Sequence, residues 1–267
     1  MSVYLSPALA LTENVPGNDL NAGIIGWDNV VTISNISADS AAANYPASNM
    51  ANPSTASQWR SGGTATQYVT IDYAGGADWM GIARHNLSGM TVSIEASIDE
   101  AWEEIFPEQV IGPNRPLILR FAETGAAGYR LKIQGATVPP RIAVFYLGML
   151  TVLHQRIYVP HTPIPYGRES DVQSGRSESG NYLGRVVLQE RLSTDVALQN
   201  IPPAWYRSEL DPFVAAANQD APFFFNWRPM DYPDETGFCW LRSNARPQNQ
   251  RPNGMMQLNL ALGGVAL

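Results

Sequence analysis

The stretch ASNMANPSTASQWRS at residues 47–61, followed by QYVTIDY at residues 67–73, decides the fold prediction. It has the order of a small β-sandwich module: a loop rich in Asn, Ser and Pro, then a tryptophan, then a strand that ends in an acidic residue. The apolar Tyr68, Val69 and Ile71 alternate roughly with polar residues, as in a half-buried strand. Nothing in this arrangement is typical of catalysis, so it favours a binding or assembly protein over an enzyme.

The composition indicates a globular chain that is poor in charge and almost free of lysine. Of the 267 residues, 45% are hydrophobic and 15% charged, and the net charge of −7 argues against nucleic acid as a partner. Lys132 is the only lysine among the 17 basic residues. Arginine suits interfaces and lysine is depleted there, so the surface fits a protein packed against neighbours. A genome that favours arginine codons explains the same bias equally well.

Cysteine usage and hydropathy exclude several other classes of protein. The single Cys239 allows neither an internal disulfide framework nor a multi-cysteine metal site. Residues 1–11 lack the basic region of a secretory signal, and no stretch approaches the ~20 apolar residues that span a bilayer. We therefore expect a protein made in a cytoplasm, without membrane insertion.

Short strand-like runs separated by turn-forming residues predict an all-β chain. Brief helices are predicted only at residues 41–45 and 212–218. We divide the chain into a β-sandwich domain with an N-terminal extension (1–153), a polar, proline-containing linker or extended arm (154–180), and a C-terminal β-rich assembly domain (181–267). The clearest strands of the first domain are predicted at residues 30–36, 68–72, 91–96, 117–121, 129–133 and 142–147.

The candidate contact residues are three tryptophans and one histidine. Trp27, Trp102 and Trp205 lie in turn-like contexts and are candidates for exposed contact with a glycan or a neighbouring subunit. His85 follows a predicted strand at residues 79–83; it is a further candidate contact, although a strand-capping role is favoured. His154 has no acidic or cysteine partner at ligand spacing, so we expect no metal and no cofactor.

One acidic cluster raises the alternative of a hydrolase. Asp99, Glu100, Glu103 and Glu104 surround Trp102, and a carboxylate pair beside an aromatic platform is the arrangement of a glycosidase. A hairpin turn with a solvated acidic tip explains the same residues more simply. Since no nucleophile motif accompanies Cys239 or any serine, we predict that the protein is not an enzyme.

The segment from Ala47 to Leu87 resembles the discoidin-like, galactose-binding-like β-sandwich modules. Its loop is similar to their pattern N-x-x-N-P-x-T-x-x-W-x-S followed by I-D. The triplet that begins at His85 and the run FFFNWRP at residues 223–229 look like segments of tail-tip or minor tail proteins of tailed bacteriophages. The residues that match the sandwich pattern are Asn49, Asn52, Pro53, Thr55, Trp59, Ser61, Ile71 and Asp72.

The resemblance implies a jelly-roll or discoidin-like sandwich followed by a second β-rich domain in a virion structural protein. Its expected partners are further copies in a threefold or sixfold ring and other phage tail proteins, in the tip or baseplate region. The alternative function is a carbohydrate-binding module for host surface glycans, and a cell-wall glycan hydrolase ranks behind both.

Overall fold

The computed structural model describes residues 1–11, 19–157, 160–250 and 254–265. Strands dominate these ranges, and the all-β prediction is confirmed. The strands, in chain order, are β1 Val3–Leu5, β2 Ile24–Gly26, β3 Ile36–Ala38, β4 Trp59–Arg60, β5 Gln67–Ile71, β6 Gly75–His85, β7 Thr91–Ile98, β8 Ala101–Val110, β9 Leu117–Ala126, β10 Tyr129–Gln134, β11 Arg141–Gly148, β12 Thr151–Val152, β13 Arg168–Arg176, β14 Tyr182–Ile201, β15 Phe223–Asn226, β16 Gly237–Leu241, β17 Gln248–Asn249 and β18 Met256–Val265.

Two five-stranded sheets form the predicted β-sandwich. The outer sheet has the order β3-β5-β10-β7-β8, and the middle sheet has the order β1-β9-β6-β11-β4. Strands with alternating burial, such as β5 and β10, turn one face to the core and the other to solvent. The largest side chains in the core between the two sheets are Trp59, Phe106, Phe121, Tyr129 and Phe145.

The stretch that predicted the fold forms one corner of this sandwich. A short 3₁₀ turn, Ala47–Ala51, leads into the loop, and the Asn49 side chain donates to the Gln58 carbonyl at 2.9 Å. The Trp59 indole is fully buried and donates its N–H to the Ser40 carbonyl at 2.9 Å. The tryptophan therefore anchors the loop in the core rather than presenting a ring to solvent.

A third sheet covers the other face of the middle sheet. Its order is β12-β2-β15-β16-β18-β14-β13, with β17 paired to β18. Trp79 and Tyr146 of the middle sheet pack edge-to-face against Phe224 of the third sheet. Because both of its faces are covered, β11 is buried along seven of its eight residues.

One interrupted helix packs on the far side of the third sheet. It begins as α1 Pro203–Trp205, widens into a π-helical segment at Tyr206–Leu210, and ends as α2 Asp211–Ala217. Pro212 has no N–H to donate to the carbonyl four residues earlier, which explains a bulge at this place. Phe213 of this helix packs edge-to-face on Phe223 at a centroid distance of 4.8 Å.

Two local predictions were wrong, and asparagine side chains account for the first. Residues 30–35 form a turn, not a strand, because Asn29 and Asn35 accept from the backbone N–H groups of Val31 and Thr32. Residues 41–45 form turns without a helix, whereas the predicted helix at 212–218 corresponds to α2. The other five sandwich strands are confirmed.

The sheets also distribute the chain differently from the predicted domain boundaries. Strand β2, which precedes the sandwich strands of residues 36–148, pairs with β15 in the third sheet. The segment predicted as a linker or extended arm, 154–180, contains β13, which forms a long hairpin with β14. No helix in the described part of the chain is long and apolar enough to cross a membrane.

Candidate functional site: a cavity between the middle sheet and the helix

A cavity of about 640 Å³ opens where the middle sheet, the N-terminal segment after β2 and the interrupted helix meet. Ligand sites in proteins commonly measure 300–1,000 Å³ and lie between structural units. This cavity combines two tryptophans with one arginine and three carboxylates. The aromatic and charged residues of its lining are Trp27, Asp28, Asp78, Arg120, Trp205 and Glu209.

Two of the carboxylates are held by the backbone of the loop that follows β11. Asp78 accepts from the Leu150 N–H at 2.7 Å, and Asp28 accepts from the Met149 N–H at 3.3 Å. Burial raises the pKa of Asp78 to about 6, against the opposing effects of the Leu150 hydrogen bond and Arg120. The loop fixes the direction of both groups, so each approaches the cavity with a defined geometry.

Arg120 supplies the positive charge of the cavity. It lies on β9 within an otherwise apolar run, and only 6% of the residue is exposed. Its Nε atom is buried without a hydrogen-bond partner within the described residues, and burial lowers its pKa while Asp78 raises it. A buried guanidinium N–H without a partner is costly, and an oxygen of a bound molecule would satisfy it.

The structure brings together two of the four predicted contact residues, Trp27 and Trp205. The Trp27 indole donates its N–H to the Thr151 hydroxyl at 2.9 Å, which fixes its ring at the wall of the cavity. Trp205 lies on the helix and stacks at a tilt against His154 at 5.7 Å. Both rings are partly exposed, so each has surface available to a ligand.

The π-helical segment lies at the same cavity. Ser208 and Glu209 of this segment, together with Pro212, contribute to its lining. Such bulges are frequent at functional sites because they displace side chains from regular helical positions. Here the bulge lies in the part of the helix that lines the cavity together with Asp78 and Arg120.

Trp102 lies elsewhere, on the outer sheet, and its ring already has a partner. The Arg130 guanidinium lies between the rings of Trp102 and Tyr68, at 4.2 and 4.3 Å from their centroids. The same guanidinium forms an ion pair with Glu95. The Trp102 indole is 39% exposed, but it does not contribute to the cavity.

His85 occupies a structural position at the end of β6. Its Nε2 lies 2.7 Å from the Arg115 carbonyl, and its Nδ1 accepts from the Leu87 N–H at 3.1 Å. These partners assign the proton to Nε2. Burial lowers its pKa to about 4, so the ring is neutral and both nitrogens are engaged with backbone.

The acidic cluster around Trp102 forms the predicted hairpin turn. Ile98 pairs with Ala101, and Asp99 and Glu100 between them have φ values of 49° and 65°. These values are typical of a two-residue hairpin turn.

Cys239 is fully buried, and burial raises its pKa, so it is not a nucleophile. No group of three or more potential metal ligands occurs among the described residues.

The comparisons with known proteins give structural likenesses only. Neither a family model nor a curated protein matches the sequence. The chain is similar to a chitosan-binding module from a chitosanase/glucanase of Paenibacillus sp. IK-5, at 15% identity and a TM-score of 0.40, covering 45% of this chain and 98% of that one. It is also similar to the family 32 carbohydrate-binding module of Clostridium perfringens NanJ, whose structure holds galactose, at 16% identity and a TM-score of 0.40, covering 45% and 97%. Likenesses of this size carry no information about the ligand of this chain.

Sequence reasoning did not find Asp78 or Arg120, although one signal pointed to Arg120. A charged residue within the apolar run at residues 117–121 is rare in a strand unless it is paired or functional. The partnership of Asp78 with the loop after β11 depends on the pairing of distant strands, which no local pattern specifies.

Proposed function

We propose that this protein binds a carbohydrate in the cavity between the middle sheet and the helix. The observation that carries the proposal is the position of Trp27 and Trp205 in one cavity with Asp78 and Arg120. Indole faces pack against the C–H faces of sugar rings, while carboxylates and guanidinium groups hydrogen-bond to hydroxyls. A site of a few polar groups set among aromatic rings is the usual composition of a small-molecule pocket.

The charge of the lining favours a neutral sugar or an amino sugar. Three carboxylates, Asp28, Asp78 and Glu209, face a single guanidinium, that of Arg120. A uronate or sialate would bring a further negative charge into this acidic site, and like charges disfavour one another there. An ammonium group or a hydroxyl avoids this penalty and supplies donors to the carboxylates.

Isothermal titration with three oligosaccharides tests the proposal. The full chain is titrated with chitotriose, a galactose oligomer and a galacturonate oligomer. We expect binding of at least one of the first two, none of the third, and an affinity loss of at least tenfold for Trp27→Ala or Trp205→Ala, equivalent to about 1.4 kcal/mol.

Trp102→Ala is the matched control, since it removes an exposed indole outside the cavity. It should leave affinity unchanged. Unaltered thermal unfolding of the Trp27→Ala and Trp205→Ala variants separates lost binding from lost folding. Equal losses from Trp102→Ala and Trp205→Ala, or binding that is indifferent to both cavity tryptophans, would contradict this site.

A second candidate function is that of an assembly subunit in a phage tail, within a virion. The observation that favours it is an exposed hairpin formed by β13 and β14, in which apolar side chains lie unpacked on the surface. Exposed apolar patches commonly mark sites of protein association. The sequence resemblance to tail-tip proteins gives this candidate its biological setting.

Electron microscopy of the purified chain tests this second candidate. Closed rings of three or six copies would support it, since cyclic symmetry is the usual solution for such parts. Single particles with the dimensions of one chain, at every concentration that is imaged, would count against it.

A further inference from the structure

The hairpin of residues 168–191, here called the arm, extends beyond the third sheet as a two-stranded ribbon. Residues 182–192 of β14 pair with β13, whereas pairing with β18 begins only at Leu192. An isolated pair of strands is marginally stable in water, because it lacks a packed face. The arm therefore has little support from the rest of the chain.

Every large apolar side chain of the arm is exposed. Tyr182, Leu183, Val186 and Leu188 are each more than 60% exposed. Val172 and Val187, which face each other across the two strands, are 39% and 44% exposed. A concentration of apolar surface in so short a segment is unusual for a monomer and marks an interaction surface.

The outer strand of the arm lacks the lysines and prolines that commonly protect a free sheet edge, although it carries other charged residues and its pairing with β14 has two register shifts. This strand, β13, runs for nine residues, and no lysine or proline occurs between residues 168 and 191. Natural edge strands commonly carry lysine or proline, or are very short, because unpaired N–H and C=O groups recruit other strands. The β13 edge is thus open to an added strand.

The distribution of charge identifies the partner. The arm carries four arginines and four carboxylates, so its net charge is zero, and the rest of the chain carries the whole net charge of −7. Two copies of this chain therefore repel each other through their bodies but not through their arms. The arm carries Arg168, Glu169, Asp171, Arg176, Glu178, Arg185, Glu190 and Arg191.

We propose that the arm is a self-association element, in which β13 adds to the arm of a second copy of this chain. The two β13 strands pair edge to edge through main-chain hydrogen bonds, and this brings the apolar side chains of the two arms side by side on one continuous sheet. A ten-residue ribbon is ~33 Å long, and an edge contact of this length buries less than the ~800 Å² per partner of a standard interface. The association is therefore reversible and depends on concentration.

Sedimentation equilibrium of the full chain over a wide concentration range tests this proposal. We expect the mass to rise from one chain towards two, and the double variant Val186→Lys/Leu188→Lys to remain monomeric. The control variant Ile33→Lys/Val138→Lys has the same change in charge, at side chains that are 71% and 51% exposed on the sandwich. It should associate like the wild type.

Disulfide trapping gives a second measurement that does not depend on affinity. Ser174→Cys places a thiol on the exposed β13 strand, and mild oxidation should give a covalent dimer, whereas Ile33→Cys should not. The native Cys239 is buried and does not interfere. A wild type that is monomeric at all concentrations, or a dimer that survives the two arm lysines, would overturn the proposal. None of the arm residues lines the carbohydrate cavity, so either proposal can fail without the other.

Discussion

Asp78 and Arg120 line the same cavity, and each stabilises the charged form of the other. Arg120 lowers the pKa of Asp78, and Asp78 raises that of Arg120, while burial acts against both charges. Burial dominates, so the pKa of Asp78 rises to about 6. The cavity therefore changes its net charge near neutral pH, which gives the site a titration that can be measured.

The first prediction concerns the pH dependence of stability through Asp78. Its pKa rises from 3.8 in the unfolded chain to about 6 in the fold, so the folded state binds more protons between these values. The protonated Asp78 therefore makes its largest contribution to the free energy of unfolding below pH 4. This contribution decreases by roughly 3 kcal/mol as pH rises from 4 through 6. Asp78→Asn keeps an acceptor for the Leu150 N–H and removes this contribution, so the stability of the wild type relative to the variant should fall by that amount between pH 4 and 8, measured by urea unfolding.

The second prediction is that His85 has the opposite dependence in nearly the same interval. Its pKa falls from 6.5 to about 4 on folding, so the unfolded chain binds more protons between these values. The neutral His85 therefore makes its largest contribution to the free energy of unfolding above pH 6.5. This contribution decreases by roughly 3 kcal/mol as pH falls from 6.5 through 4.

The contributions of Asp78 and His85 nearly cancel in the wild type. His85→Gln should therefore make stability fall with rising pH, and Asp78→Asn should make it rise; parallel slopes in the two variants would contradict both assignments.

The sandwich was predictable from sequence because its signals are local. Gln67–Ile71 alternates in burial as its pattern indicates, and Trp59 is buried beside it. The turn at Asp99 and Glu100 was also predictable, since short polar residues between two strands favour a hairpin. These features depend on neighbours in the chain.

The site was only half predictable, because it depends on distant pairings. The aromatic candidates Trp27 and Trp205 line one cavity, but their meeting requires β2 to join the third sheet through β15. A three-residue strand with no alternation gives no sign of that partner. Trp102 had the same local signal as the other two, but it lies on the outer sheet, against the Arg130 guanidinium and outside the cavity.

The third prediction concerns the selectivity of the cavity. Asp28→Asn/Glu209→Gln removes two negative charges from the lining while keeping side chains of similar shape. If like charges exclude acidic sugars, this variant should bind a galacturonate oligomer that the wild type rejects, with neutral sugars affected less than tenfold. Asp99→Asn/Glu103→Gln removes the same charge from the outer sheet and serves as the control. Equal gains in uronate binding for both variants would assign the effect to net charge alone.

The fourth prediction concerns the contact between the third sheet and the middle sheet. A Cβ atom added to Gly26 on β2 would overlap the six-membered ring of Trp79, which is fully buried between Tyr146 and Phe224. Gly26→Ala must displace a ring that has no space to move, so we expect the free energy of unfolding, measured in urea, to fall by about 1–3 kcal/mol.

The control is Gly125→Ala on β9. Its added Cβ atom meets no atom within 4 Å, so the substitution should be neutral or slightly stabilising. Because β2 also leads into Trp27, Gly26→Ala should weaken sugar binding more than Gly125→Ala does. Equal stabilities of the two variants would mean that the third sheet is not packed on Trp79.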